Sequence, residues 1–250
     1  MADLFEIEAY CDSLLEASRF SDYCPNGIQV EGRAEVSRLV GGVTACQALV
    51  DAAVEAGADL LLVHHGWFWK GEPAPLRGLK GRRAAALMGN GIGLLAYHLP
   101  LDAHPELGNN RRLGEALGLL DASPSEAGEG LVWQGRLPRP LPLDAFAEQV
   151  AQRLGHEPLV IPGHGRPLTR IAWCSGAAQG YIEQAAALGV DAFLSGEVSE
   201  QTTHLARELG IHYLAAGHHA TERGGVEALG AHLAVRFGLE WRFIDIPNPV

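Results

Sequence analysis

The sequence predicts an α/β fold of two similar lobes, and three observations predict it. Short apolar runs bounded by turn residues alternate with amphipathic helical patterns, as in parallel β-α-β units. The same order of elements occurs twice, with one separation relating Arg38 to Arg170 and Gly57 to Gly189. Each copy also ends a strand at a histidine that an acid follows four residues later, His98 before Asp102 and His218 before Glu222.

Element by element, residues 3–19 read as an amphipathic helix with Leu4, Ile7, Leu14 and Leu15 on one face. Asp22 to Gly27 carries turn chemistry before the extended run Ile28-Gln29-Val30. Arg38 to Val43 is then a buried strand, Thr44 to Ala56 a helix closed by Gly57, and Asp59 to Val63 a second strand that delivers His64-His65-Gly66. A helix around Arg82 to Met88 leads to a third strand, Gly91 to Tyr97, ending at His98. Pro100 disfavours helix at Leu99, so His98 to Asp102 reads as a strand end bending over a site. Asp121 to Gly130 is a Ser/Gly/acid-rich connector, and it divides a first lobe, residues 1–126, from a second, residues 127–250.

The second lobe opens with a strand, Leu131 to Leu137, separated by Pro138, Pro140 and Pro142 from a helix near Leu143 to Leu154. Ile161 to Pro167 is a loop or hairpin connection. The repeat follows: strand Arg170 to Ser175, helix Gly180 to Leu188, strand Gly189 to Leu194, a helix ending at Leu209, and strand Gly210 to Gly217 ending at His218. Gly196-Glu197 stands where His64-His65 stood. A last helix starts near Thr221 and buries Val226, Leu229, Leu233 and Phe237.

Composition excludes several classes of function. The chain has 250 residues, 47% hydrophobic and 20% charged, a balance that argues against disorder and coiled coil and allows roughly 70 to 75% of its unfolded surface to be buried. Its formal charge of -11 repels a nucleic-acid backbone. No run approaches the roughly 20 apolar residues of a membrane span, and no signal-peptide pattern opens the chain. Cys11, Cys24, Cys46 and Cys174 are scattered, with no C-x-x-C pair, so reduced thiols in the cytoplasm are expected.

Eleven histidines are the unusual feature of this composition. In α/β sheets ligands gather beyond the carboxyl ends of the strands, where His64, His65, His98 and His218 fall. Imidazole and carboxylate are the usual ligands of first-row divalent metals. Three imidazoles and two carboxylates, His64, His65, Asp102, His218 and Glu222, exceed one tetrahedral ion with an open position but suit two ions bridged by carboxylate and water. His98 is expected to orient Asp102 or a ligand, and His219 could exchange roles with His218. A blander reading, hydrogen-bonded strand-end histidines, is preferred for His104, His156, His164 and His232, and His204 and His212, open between the two, lean the same way. For the five candidates, burial costs weigh against it.

Three further features have two readings each. Trp67-Phe68-Trp69 is either a stacking surface for a ring or, the favoured reading, core or subunit interface. Lys70, Arg77, Lys80, Arg82 and Arg83 hold a phosphate or form a solvated helix face. Glu197 and Glu200 line the histidine cleft or are surface acids.

Five motifs together resemble the NIF-three-like (YbgI-type) family of dinuclear-metal proteins, whose members carry the name GTP cyclohydrolase 1 type 2 homolog. They are Asn26-Gly27-Ile28-Gln29-Val30-Glu31-Gly32, Val63-His64-His65-Gly66, Tyr97-His98-Leu99-Pro100-Leu101-Asp102, Gly196-Glu197-Val198-Ser199-Glu200 and Gly217-His218-His219-Ala220-Thr221-Glu222. The resemblance spans nearly the whole chain and lacks the central insertion of longer members. It implies two α/β lobes facing across a cleft, a homohexameric ring, and two ions per subunit held by His64, His65, Asp102, His218 and Glu222. The ions are iron, zinc, manganese or nickel, since the ligand set accommodates each.

The activity implied is hydrolysis of a nucleotide or related small molecule by metal-activated water, with Asp102 and Glu222 ligating or bridging and Glu197 a proton shuttle. Such a site equally serves phosphoester or amide hydrolysis. The alternative is a non-enzymatic metal-binding hexamer acting as scaffold, sensor or metal buffer.

Overall fold

The computed structural model describes all 250 residues. In chain order the strands are β1 (Ala2–Asp3), β2 (Gly27–Val30), β3 (Glu35–Val36), β4 (Arg38–Thr44), β5 (Leu60–His65), β6 (Gly93–Ala96), β7 (Leu120–Pro124), β8 (Trp133–Leu141), β9 (Leu159–Ile161), β10 (Leu168–Trp173), β11 (Ala192–Ser195), β12 (His212–Ala215) and β13 (Glu240–Phe243). The helices are α1 (Leu4–Leu14), α2 (Gln47–Glu55), α3 (Gly78–Asn90), α4 (Leu99–Ala103), α5 (Asn109–Ala116), α6 (Leu143–Leu154), α7 (Ile182–Ala187), α8 (Glu200–Leu209) and α9 (His218–Phe237). No helix is long and apolar enough to cross a membrane.

The chain forms two compact units, residues 1–101 with 225–246, and residues 102–224 with 247–250. The sequence boundary expected at residue 126 falls inside the second of these. What the sequence pattern missed is β13, which pairs parallel to β4 and returns the C-terminal region to the first unit.

In the first unit the sheet order is β13-β4-β5-β6-β2, with β2 antiparallel to β6 and the remaining neighbours parallel. β4 and β5 are near-continuous apolar runs because both of their faces are covered. Val40, Leu61, Val63 and Leu94 of the sheet pack with Leu49, Val50 and Leu87 of α2 and α3. α1 buries Leu4, Ile7 and Cys11, with Leu15 just beyond, and Asp3 caps it by accepting from the backbone N–H groups of Phe5 and Glu6.

The second unit has the order β7-β8-β10-β11-β12-β9. β10, β11 and β12 are parallel, and β8, β9 and β7 join antiparallel. Successive residues of its central strands face opposite cores: Leu194 and Leu214 pack with Trp133, Phe146 and Trp173, whereas Phe193 and Tyr213 pack with Ile182 and Ile211.

The repeat seen in the sequence recurs in the hydrogen bonds of its aspartates and arginines. Asp59 Oδ2 accepts the backbone N–H groups of Ser37 and Arg38, and Asp191 Oδ2 accepts those of Thr169 and Arg170. Arg38 and Arg170 each donate to the carbonyl of the glycine that closes the intervening helical segment, Gly57 or Gly189. Both glycines have positive φ, 63° and 68°.

Four local expectations change. Residues 99–103 form the short helix α4 rather than a bent strand end, because Pro100 sits in the first turn, where no backbone N–H is needed. The connector at 121–130 contains strand β7 and a 3-10 turn. β8 runs on through Pro138 and Pro140, since beyond Arg136 its β7 side is unpaired and a missing N–H costs nothing there. α9 begins at His218 and not near Thr221.

Candidate metal centre

The first unit carries two groups that could hold a metal ion, His64 with His65 and His98, and Asp22 with Cys24 and His98, and the second contributes the candidate ligands Asp102, His218 and Glu222. In the first, β5 ends at His64 and His65 and β6 is followed by His98; one ligand nitrogen from each of the three lies within 4.8 Å of the others. β5 extends through both histidines, which alternation would place on opposite faces. Their rings nevertheless lie 4.5 Å apart between centroids. Gly66 follows at once, and a Cβ there would stand 2.2 Å from the Gln29 amide oxygen, displacing an amide that the Trp67 N–H and the Pro25 carbonyl hold.

His64 is fully buried, and its Nδ1 lies 2.9 Å from the Tyr97 carbonyl oxygen. A carbonyl only accepts, so Nδ1 carries the hydrogen and Nε2 offers its lone pair. His65 Nδ1 is 3.1 Å from the Thr44 hydroxyl. His98 does not use Nδ1 on Asp102; that nitrogen pairs with Asp22 Oδ1 at 2.6 Å. Asp22 also accepts from the Leu99 and Tyr23 backbone N–H groups and the Asn26 amide. Burial opposes ionisation of Asp22, but the His98 hydrogen bond and charge and the Asn26 and Leu99 donors outweigh it and bring its pKa down to about 2.

In the second unit the ligands stand on α4 and α9. Because α9 starts at His218, Glu222 lies one turn on and shares its face, with His218 Nε2 3.1 Å from Glu222 Oε2. His218 Nδ1 donates to Glu197 Oε1 at 2.7 Å. Burial pulls the His218 pKa down, but the hydrogen bonds and charges of Glu222 and Glu197 prevail and hold it up at about 9.

Asp102 and Glu222 are 7% and 3% exposed and bring ligand oxygens within 4.8 Å of each other, a placement of like charges that calls for a cation. Asp102 Oδ1 receives the Asn109 amide at 2.9 Å and the Ser175 hydroxyl at 3.0 Å, which fixes the carboxylate without His98. Room for Glu222 comes from Gly176, at φ 65°, where a Cβ would lie 2.2 Å from Glu222 Oε1. The Gly176 N–H donates to the Thr221 hydroxyl, which in turn donates to the His218 carbonyl.

The donor set fits divalent metal. Three imidazoles each commit one ring nitrogen to an orienting partner, the Tyr97 carbonyl, the Thr44 hydroxyl and the Glu197 carboxylate, as metal-bound histidines do. The Tyr97 carbonyl and the Thr44 hydroxyl, with Asp22, Asn109, Ser175 and Gly176, went unassigned in the sequence, whereas Glu197 is expected there as a proton shuttle. The repeat offered a signal for two of them, since Thr44 and Gly176 occupy equivalent positions after their strands.

Of the other singled-out residues, Trp67 belongs to the core: it is 4% exposed and its indole N–H donates to the Ala45 carbonyl. Trp69 instead lies against His65 and His98. Lys80 pairs with Glu72 and lies over the Phe68 ring. His204 pairs with Glu200 on the surface of α8. All four cysteines are free.

The chain and its fold are similar to those of known proteins. A GTP cyclohydrolase 1 type 2 homolog from Allochromatium vinosum is 59% identical over 249 residues, covering 100% of this chain and 98% of that relative. The solved structure of protein ybgI, described as of unknown function, superposes with a TM-score of 0.95 at 49% identity, covering 99% of this chain and 100% of that one. TTHA1606 from Thermus thermophilus gives a TM-score of 0.90 at 40% identity, over 99% of this chain and 100% of its own. The profile of the Duf34/NIF3 (NGG1p interacting factor 3) family matches residues 2–249, and the chain belongs to that family.

Proposed function

We propose that this chain is a dinuclear-metal-dependent hydrolase of the cytoplasm, a homohexamer acting on a nucleotide or related small molecule. His64, His65, Asp102, His218 and Glu222 hold two divalent ions drawn from iron, zinc, manganese or nickel. The observation that carries this reading is the outer support of the ligands: each imidazole has one nitrogen oriented by a fixed partner, and Asp102 is held by an amide and a hydroxyl. The name shared by the curated relatives, GTP cyclohydrolase 1 type 2 homolog, supports the nucleotide as substrate class.

A bound pair of divalent ions supplies Lewis acidity and brings the pKa of water toward roughly 7. This chain's residues do the rest. Asp102 and Glu222 place negative charge at the centre, which retains the ions. Glu197 takes the Nδ1 hydrogen bond of His218, fixing the imidazole and giving a proton a carboxylate oxygen to reach. Burial of His64, Asp102 and Glu222 keeps bulk water from these side chains and strengthens the interactions each makes.

The test is elemental analysis of protein purified under reducing, chelator-free conditions, with and without His64→Ala, followed by GTP turnover read by product chromatography with each candidate ion. Stoichiometric metal lost in His64→Ala, with turnover lost in Glu222→Ala, supports the proposal. Metal without turnover on nucleotides, esters and peptides replaces the enzyme by a metal-binding ring, and absence of metal overturns both.

A further inference from the structure

Resting on the metal reading above, we propose that Trp69 is the platform on which the ligand's planar heteroaromatic ring stacks beside the metal ligands, making it the specificity-determining residue of the site.

The argument begins with backbone geometry. In an extended chain residues two apart share a face, so Trp67 and Trp69 would point the same way. Phe68 prevents this. It adopts a left-handed conformation, φ 65°, which is uncommon for a bulky residue and persists only where the surroundings impose it. Trp67 therefore enters the core while Trp69 emerges, half-buried, 5.8 Å from the His65 ring centroid and edge-on to His98 at 5.0 Å and 86°.

The strained turn is held on every side. The Trp67 backbone N–H donates to Gln29 and its indole to the Ala45 carbonyl. The Lys70 N–H donates to the Tyr23 carbonyl, and the Trp69 and Glu72 backbones close a turn between them. Lys80 lies over the Phe68 ring and pairs with Glu72. A rigid, half-exposed indole presented this way costs little ordering entropy when a flat partner arrives. Tyr23, 62% exposed and 6.5 Å from His98 between ring centroids, adds a second ring to the rim.

Aromatic rims also bind alkylammonium groups, and the acids of these loops decide between the two occupants. Asp22 already accepts four donors, and Glu72 is engaged by Lys80 and the Trp69 backbone. Asp22, its side chain 3% exposed, is out of a cation's reach, and the charge of Glu72 is paired by Lys80. A neutral planar ring, which needs only the π-face, is the matching chemistry.

The test is calorimetric titration of protein of measured metal content with guanosine, with ribose as the ringless probe and tetramethylammonium as the cationic one. Trp69→Phe is expected to keep guanosine affinity within about threefold, Trp69→Leu to weaken it roughly tenfold or more, and the exposed Tyr23→Leu to weaken it by a few-fold. Ribose should bind none of them measurably. Guanosine affinity unchanged in Trp69→Leu, no guanosine binding to the wild type, or tetramethylammonium binding as well as guanosine overturns the proposal. Metal content is read separately, so failure of the metal centre is distinguished from failure of the platform.

Discussion

Glu197 accepts a hydrogen bond from His218 Nδ1 across 2.7 Å, on the ring nitrogen opposite the one that faces Glu222. An outer partner of this kind fixes the tautomer and raises the basicity of the nitrogen left for metal. Glu197→Ala is expected to weaken metal binding roughly 10- to 100-fold, measured by chelator competition, with Glu197→Gln recovering part of the loss because its amide oxygen still accepts the Nδ1 hydrogen. Equal affinity in Glu197→Ala and wild type would remove the carboxylate from this role.

Gly176 makes room for Glu222, and its φ of 65° is one that side chains rarely adopt. Gly176→Ala should lower stability by about 1–3 kcal/mol and also reduce metal content, since the new methyl displaces the Glu222 carboxylate. Gly180→Ala meets open space and serves as the control, with an expected change within about 0.5 kcal/mol. Urea midpoints and elemental analysis of the two variants check this directly.

Asp22 provides a pH dependence whose sign follows from its depressed pKa. Burial acts against the charge, yet His98, Asn26 and Leu99 bring the folded value to about 2 from an ordinary 3.8. A carboxyl lowered on folding stabilises the protein above its unfolded pKa, and that stability disappears as pH falls through the folded one. Acidification from about pH 5 to pH 2 should therefore remove roughly 2 kcal/mol through this group. In Asp22→Asn that portion should be missing already at neutral pH, which denaturation midpoints across the range will show.

The two tryptophans of one turn should separate in their effects. Trp67→Phe leaves the buried Ala45 carbonyl without its indole donor and is expected to cost about 1–3 kcal/mol of stability. Ring binding at Trp69 should change little in that variant. A thermal melt and the guanosine titration, run on the same preparation, resolve the two roles.

Much of this was legible in the sequence, for identifiable reasons. β4 and β10, with the paired Asp59 and Asp191 clamps behind them, follow from apolar runs and glycine punctuation that recur in one order. The histidines at strand ends follow from where α/β sheets present their ligands. What escaped was set by contacts distant in the chain. Asp22 reads as turn chemistry until its carboxylate is seen on His98 and Leu99, more than seventy residues later. Pro100 argues against helix only if its position within the first turn is unknown. The left-handed Phe68, which sends neighbouring tryptophans to different surroundings, leaves no periodicity to read.

The pairing of β13 with β4 has a consequence for biogenesis. Ribosomes emit the chain from its amino end, so residues 102–224 are available to fold while one edge of β4 still lacks its neighbour. Until Glu240 to Phe243 emerges, the nascent polypeptide carries an open strand edge of the kind that invites promiscuous association. Truncation a dozen residues before the carboxyl end would make that transient exposure permanent.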